Sequence, residues 1–356
     1  MKTNHNNYLN LAFNLARINL GKTKHNPSVG CVVVKNNSVI STGYTSNNGR
    51  PHAEFNALNK MIKFDNSDLY VTMEPCTHYG ITPPCTNIII NKKIKNVYFS
   101  TYDIDKRTAK KSQQLLIKKN IKIFKKNLLK INNFYKSYFL NKKKNLPFVD
   151  AKIALSRDYY TIDRKKKWIT NISSRNRVHL IRSEYDSIIS TSASVNKDNS
   201  LLNCRLNGFN INKPDLIIID LKLKIKTNLR IFDLSNKRKI FIVTNINENK
   251  KKSNLRKLGV KFIQINHLNS KNDFINLFKN FQKKGFNRIL VESGLTFLNQ
   301  LLQKRLINNL YIFQSSNKLK KNGFNNSSIN IIKKMKLPKK VNVNLYEDKL
   351  YKVIIK

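Results

Sequence analysis

Three short segments, His52-Ala53-Glu54, Glu74-Pro75-Cys76 and Thr82-Pro83-Pro84-Cys85, constrain this chain more than any other feature. One histidine and two cysteines suit a tetrahedral zinc ion, and three protein ligands leave its fourth position open to water. The fold must then bring a histidine that opens a helix against two cysteines that flank a loop leading into another helix. Helix N-termini favour thiolate over thiol, because their unpaired N–H groups face the sulfur. Glu54 is too close to His52 to be an obvious fourth ligand, but it is well placed to carry protons between water and a leaving amine. Pro75 stiffens the approach to Cys76. His78 is the one local residue that would close the site into a purely structural one. The combination of H-x-E with P-C favours an open, catalytic zinc, the equipment for hydrolytic removal of an exocyclic amine from a nucleobase-like ring.

Around these segments the hydrophobic pattern reads as α/β. Leu9, Phe13, Ala16 and Leu20 recur at helical spacing, and the apolar runs 29–34 and 39–44 flank a turn-rich tetrapeptide, as in a hairpin. Helix is expected over 52–62, strand over 68–73, helix over 86–93, and then strand, helix, strand through residue 124. That order predicts a three-layer sandwich of helices around a mixed sheet. A chain of 356 residues exceeds the usual size of one core. The basic stretch 125–146, ending in Asn141-Lys142-Lys143-Lys144-Asn145-Leu146-Pro147, marks the boundary, giving domains 1–145 and 146–356. Strands over 148–155, 186–191, 215–220, 239–244, 260–265, 288–293 and 309–314, with helices near 172–183, 272–284 and 295–304, make the second domain α/β as well.

The segments His52-Ala53-Glu54 and Pro75 to Cys85, with their long T-P-P-C loop, resemble the bifunctional riboflavin-biosynthesis deaminase–reductases known as RibD or RibG. Transfer-RNA and cytidine deaminases usually carry a shorter P-C-x-x-C. Asn26-Pro27-Ser28-Val29-Gly30-Cys31 matches the family's N-P-x-V-G-C segment. The resemblance implies a cytidine-deaminase-like α/β/α sandwich followed by a dihydrofolate-reductase-like α/β domain. It implies zinc-dependent deamination of 2,5-diamino-6-ribosylamino-4(3H)-pyrimidinone 5′-phosphate, with Asn26 near the pyrimidine, and then NADPH-dependent reduction of the ribosyl chain to ribityl. In the second domain Trp168-Ile169-Thr170, Ser194 to Arg205 and Val291 to Leu298 resemble the family's segments. By position, Ala154, Trp168, Ser194, Asp198, Gly294, Leu295 and Thr296 would contact NADPH, while Arg182, Leu202, Arg205 and Glu292 would line the substrate. A planar guanidinium suits a phosphate because it donates two parallel hydrogen bonds.

Several positions depart from the family pattern. Thr45 stands where a histidine is usual; a glycine- and proline-rich segment becomes Asp103 to Ser112; S-L-D-G reads Ser156-Arg157-Asp158-Tyr159; and an acidic pair becomes Asn308-Asn309. Two alternatives therefore stay open: an active deaminase with a degenerate reductase, or a tRNA-editing deaminase or nucleic-acid binder, which a net charge of +48 would suit. The lysines are spread along the whole chain beside asparagine and isoleucine, a bias of composition and not of partner, so no specific nucleic acid is expected. The substrate expected is a phosphorylated pyrimidine, which a positive surface attracts. The family also implies a homo-oligomer. Four cysteines without a disulfide pattern, an N-terminus without an uninterrupted apolar stretch and no membrane-length segment suggest a cytoplasmic protein without a membrane partner.

Overall fold

Valine-rich Gly30–Lys35 (β1) pairs antiparallel with Ser38–Tyr44 (β2) across Asn36 and Asn37, whose φ values of 50° and 61° suit a tight hairpin and are tolerated by asparagine. The computed structural model describes residues 4–209 and 214–355, and the chain divides into two units, Met1–Asn145 and Leu146–Lys356. In the first, Asp68–Met73 (β3) joins β1 antiparallel, and Asn96–Thr101 (β4) and Lys122–Lys125 (β5) continue in parallel, giving the order β2-β1-β3-β4-β5. The helices are His5–Arg17 (α1), Ala53–Leu58 (α2), Cys85–Asn91 (α3), Lys111–Ile117 (α4) and Ile131–Lys144 (α5). Strand alternation divides the core. Cys31 and Val33 meet Ala53, Ala57, Leu58 and Ile89 on one face, and Val32 and Val34 meet Leu9, Ala12, Tyr70 and Tyr98 on the other. The expected three layers form. Residues 131–144, which the sequence marks only as basic and partly helical, instead supply core: Ile131, Tyr135 and Tyr138 recur at helical spacing among lysines and are buried.

Two glycines set the distance between helices and sheet. A Cβ on Gly43 in β2 would lie 2.5 Å from the Ala57 nitrogen and would overlap the Ala53 carbonyl oxygen. Gly30 in β1 stands in the same relation to Ala12 of α1. Close approach, not a left-handed φ, is what requires glycine here.

The second unit carries eight strands in the order β11-β10-β9-β8-β12-β6-β13-β15. They are Phe148–Leu155 (β6), Ser187–Thr191 (β8), Asp215–Ile219 (β9), Ile240–Thr244 (β10), Val260–Gln264 (β11), Arg288–Val291 (β12), Asn309–Gln314 (β13) and Lys349–Ile354 (β15). All neighbours are parallel except β15, which runs antiparallel along β13. A small ribbon pairs Ile162–Asp163 (β7) with Gly323–Phe324 (β14). The helices are Ile172–Arg182 (α6), Ser192–Asp198 (α7), Lys250–Lys257 (α8), Lys271–Lys283 (α9) and Leu295–Gln303 (α10). Parallel strands buried on both faces read as continuous apolar runs, such as Leu216–Ile219, and the two faces close two separate cores. The chain runs outward from β8 to β11 and returns to insert β12 between β8 and β6. That reversal places the ligand crevice expected of open α/β sheets at the C-terminal ends of β8, β12 and β6. Strand β15, which no turn signal announces, and helices α7 and α8 go beyond the elements read from the pattern. Among the described residues no helix is long and apolar enough to cross a membrane.

Substituting Gly43 by alanine should push α2 off the sheet and cost about 1–3 kcal/mol, the usual range for an overpacked core. Denaturant unfolding of the variant checks this, and an unchanged midpoint would show that the helix has room to move.

Candidate active sites

In the first unit, His52 is the N-cap of α2, Cys76 follows β3, and Cys85 opens α3 after Pro84. These three elements bring His52 Nδ1 to 3.6 Å from Cys76 Sγ and 3.4 Å from Cys85 Sγ. Tetrahedral zinc bonds to nitrogen and sulfur place such ligand atoms about 3.6 Å apart, which both nitrogen–sulfur distances match, and all three ligand atoms lie within 4.8 Å of one another. The Cys85 N–H donates to Cys76 Sγ at 3.2 Å, as expected of a helix start facing a thiolate. Among the described residues no further His, Cys, Asp or Glu joins this group. His78, which could have closed the site, instead lies with Nδ1 3.0 Å from Thr108 Oγ1.

The electrostatics suit a cation. Hydrogen bonds from Cys85 and His52 hold the Cys76 thiol well below its ordinary range, whereas Cys85 is pushed up by its bond with Cys76 and by burial. Burial opposes charge on His52, yet its hydrogen bond with Cys76 and the field of Glu54 leave it raised. Glu54 is 4% exposed in the first turn of α2; burial, then the Cys76 thiolate, lift its carboxyl to about 7. A divalent cation would answer this concentration of negative charge and draw the Glu54 value down again.

The surrounding loops are tied by hydrogen bonds. Asn26 Nδ2 donates to the Gly49 carbonyl, and Arg50, the next residue, donates to Thr82 Oγ1 at 2.9 Å in the loop between the two cysteines. Thr45 is buried; its Oγ1 accepts from Val29 N and its carbonyl from Asn19 Nδ2, so it closes the hairpin onto the Asn26 loop. Glu74, to which the sequence pattern assigns no role, is 3% exposed and accepts from the main-chain N–H of Asp103, Lys110 and Ser112 and from the Ser112 hydroxyl.

In the second unit Arg182 at the end of α6 makes a bidentate pair with Glu292 just after β12, Nε–Oε1 2.6 Å and Nη2–Oε2 2.9 Å. Its Nη1 donates to the Asn203 carbonyl, which also lies 2.9 Å from His179 Nδ1; Arg205 Nη1 donates to Asn203 Oδ1. Arg182, Arg205 and Glu292 thus come together. Arg182 is engaged by Glu292 and is not a free phosphate clamp; the exposed Arg205 is the better candidate for that task. The sequence pattern assigns no site role to Lys152, whose Nζ lies 3.9 Å from Glu292 Oε2, 140 positions along the chain, or to His179, which meets Arg182 and the Asn203 carbonyl. Leu202 and Leu295 are buried in the two cores, so only their main chains can face a ligand.

Of the residues carried over for NADPH, Ala154, Ser194 and Gly294 stand at or just after the C-terminal ends of β6, β8 and β12. Gly294 N-caps α10 without a side-chain cap, and its N–H donates to Ser194 Oγ at 3.1 Å, which joins the starts of α7 and α10. An added Cβ at Gly294 would meet only that oxygen, at 3.7 Å, so the surroundings are open. A helix start without a side-chain cap beside a hydroxyl fits a pyrophosphate. Ala154 is half-buried on β6, Asp198 ends α7, and Thr296 Oγ1 donates to the Asn326 carbonyl. Trp168 is half-exposed, with the Arg175 guanidinium 5.0 Å from its ring.

Comparison with known proteins bears on both units. Residues 2–101 match the cytidine and deoxycytidylate deaminase zinc-binding region, and residues 147–317 match the RibD C-terminal domain. "Riboflavin biosynthesis protein RibD" of Aquifex aeolicus is 31% identical over 314 residues, 86% of this chain and 85% of the relative. That of Buchnera aphidicola is 30% identical over 326 residues, with the same coverage. Among solved structures, a Thermotoga maritima diaminohydroxyphosphoribosylaminopyrimidine deaminase/5-amino-6-(5-phosphoribosylamino)uracil reductase covers 98% of each chain at 26% identity, with a TM-score of 0.83. Acinetobacter baumannii RibD, form 2, gives 25% identity, 98% coverage of each chain and a TM-score of 0.81.

The departures from the family pattern have local explanations. Asn309 Nδ2 and N donate to Asp150 Oδ1, and Asn308 Oδ1 accepts from Val149 N, so these asparagines tie β13 to β6 at the end of the sheet away from Glu292. Lys110 and Tyr159 stand at glycine positions of the pattern, and both adopt a left-handed backbone, at φ 62° and 67°. Tyr159 offsets its strain by packing on the core, while Asp158 receives the N–H groups of Leu319 and Lys320. Glycine at 159 relieves the strain but loses the packing, whereas alanine loses the packing and keeps the strain. Tyr159→Gly should therefore be more stable than Tyr159→Ala by about 1 kcal/mol, as thermal unfolding of the pair can show.

Proposed function

The chain belongs to the RibD family of riboflavin-biosynthesis proteins, and from that premise we propose which of its residues carry the family's two reactions. It is a bifunctional enzyme of riboflavin biosynthesis that couples deamination to reduction, uses zinc and NADPH, and acts on small phosphorylated pyrimidines. Residues 1–145 form the deaminase and 146–356 the reductase. The observation that carries the reading is the convergence of His52, Cys76 and Cys85 beside one buried carboxylate, Glu54.

His52, Cys76 and Cys85 would hold the zinc. Bound there, zinc supplies the Lewis acidity that lets water attack an aromatic C–NH₂ carbon near neutral pH. Glu54 takes one proton from the attacking water and gives it to the ring nitrogen, then carries the second, from the hydroxyl so formed on the ring carbon, to the amine, so that the carbonyl forms and ammonia leaves. Its burial keeps it a proton carrier and not a solvated anion. Asn26 orients the pyrimidine of 2,5-diamino-6-ribosylamino-4(3H)-pyrimidinone 5′-phosphate.

In the reductase, NADPH supplies the hydride that turns the ribosyl chain into ribityl. Ala154, Trp168, Ser194, Asp198 and the Gly294-Leu295-Thr296 turn hold the cofactor, Leu295 by its main chain. Arg182 and Glu292 position each other against the substrate, Leu202 contributes its main chain, and Arg205 takes the phosphate. The intact Arg182–Glu292–Lys152 cluster supports a working reductase over a relic. We further propose a cytoplasmic homo-oligomer without a specific nucleic-acid partner.

Purified protein incubated with the pyrimidine phosphate, with and without NADPH, should release ammonia in both cases and oxidise NADPH in one. Ammonia release without NADPH oxidation would favour the relic. Glu54→Gln should keep its zinc, lose about 10²–10⁴-fold in ammonia release, and still oxidise NADPH with the deaminated intermediate. A near-normal deamination rate would remove Glu54 from its role. Cys85→Ser should carry markedly less zinc per chain by metal analysis, and full occupancy would strike it from the ligand set.

A further inference from the structure

We propose that Glu74 is a positioning residue of the deaminase, a latch that holds residues 103–112 as a wall of its substrate site. The inference rests on the deaminase reading of the first unit. Strands β3 and β4 run parallel and end side by side, Met73 opposite Thr101. The loops that leave these two strands lie at the carboxyl edge of the sheet, where open α/β sheets take their ligands. After β3 comes the limb with Cys76, and after β4 comes the segment 103–112.

Glu74 joins the two. Its Oε2 accepts from Asp103 N at 3.3 Å and Lys110 N at 3.0 Å, and its Oε1 accepts from Ser112 N at 3.3 Å and Ser112 Oγ at 2.7 Å. Both oxygens are thus occupied by donors from both ends of one segment. Thr77 Oγ1 donates to the Arg107 carbonyl at 3.0 Å, and His78 Nδ1 lies 3.0 Å from Thr108 Oγ1, so the middle of the segment is pinned to the cysteine limb as well. From the other side Tyr138 donates to Asp103 Oδ1. The arrangement also maintains Lys110 at its left-handed φ of 62°, because the N–H of that residue is one of the four donors. A segment without glycine or proline is here shaped by a carboxylate that belongs to another strand. Glutamine cannot replace it: its amide NH₂ would face main-chain donors, and the remaining oxygen serves only half of the set.

The test measures steady-state ammonia release by Glu74→Gln in the full-length zinc-loaded protein, with zinc per chain determined on the same preparation. A loosened wall should raise KM about tenfold and leave kcat within about threefold, with zinc content, and NADPH oxidation of the deaminated intermediate, as in the unaltered protein. Ser112→Ala removes a single donor and should shift KM in the same direction by less, which keeps the question answerable if the glutamine variant folds poorly. Unchanged KM in both variants, or a fall in kcat that follows lost zinc, would overturn the latch. Failure of the unaltered protein to release ammonia would instead overturn the deaminase reading itself.

Discussion

Helix α2 lies against β2 at the limit that atoms allow, with no space for even a methyl group between Gly43 and the backbone of Ala53 and Ala57. His52 is the N-cap of that helix and Glu54 stands in its first turn, so the depth at which the helix sits fixes both side chains relative to the end of β3. Cys76 leaves that strand and Cys85 returns at the start of α3, which packs on the same core through Ile89. The ligand spacing is therefore a product of sheet packing. Proton transfer depends on burial as well, since burial is what raises the Glu54 carboxyl most.

The second unit reaches its site by a different route. Glu292 follows a central strand, and Arg182 comes from the helix that precedes β8, a strand next to it. Each ion would be costly to bury alone, and the bidentate geometry offsets that cost for both. Burial would drive Lys152 toward neutrality, and Glu292 opposes this. The cluster holds together because each member is satisfied by the others.

The metal centre is legible in the sequence because its chemistry is local: a histidine, a glutamate two residues on, and two cysteines each preceded by proline. The α/β alternation is legible for the same reason, since buried parallel strands leave continuous apolar runs. The features that stay hidden depend on distant partners. Glu74 looks like part of a motif until the loop after β4 closes on it. Asn308 and Asn309 look like losses until Val149 and Asp150 are placed beside them. Ile131, Tyr135 and Tyr138 form a helical stripe, but the lysines around them obscure it, and the stretch that leads up to the boundary at 145–146 also supplies core. Lost glycines at 110 and 159 suggest positions without a left-handed φ, yet the chain takes one at both with side chains attached.

A chain with 68 basic and 20 acidic residues has few carboxylates to spend. Seven of the acids are buried: Glu54, Glu74, Asp103, Asp150, Asp220, Glu292 and Asp348. Apart from Glu54, they accept hydrogen bonds from main-chain N–H groups, hydroxyls, amides or a guanidinium, and an ammonium in their place has no lone pair to offer. Lysine could stand at an exposed acid without stranding a donor, but not at these interior ones, where a carboxylate gathers N–H and hydroxyl groups from separate segments.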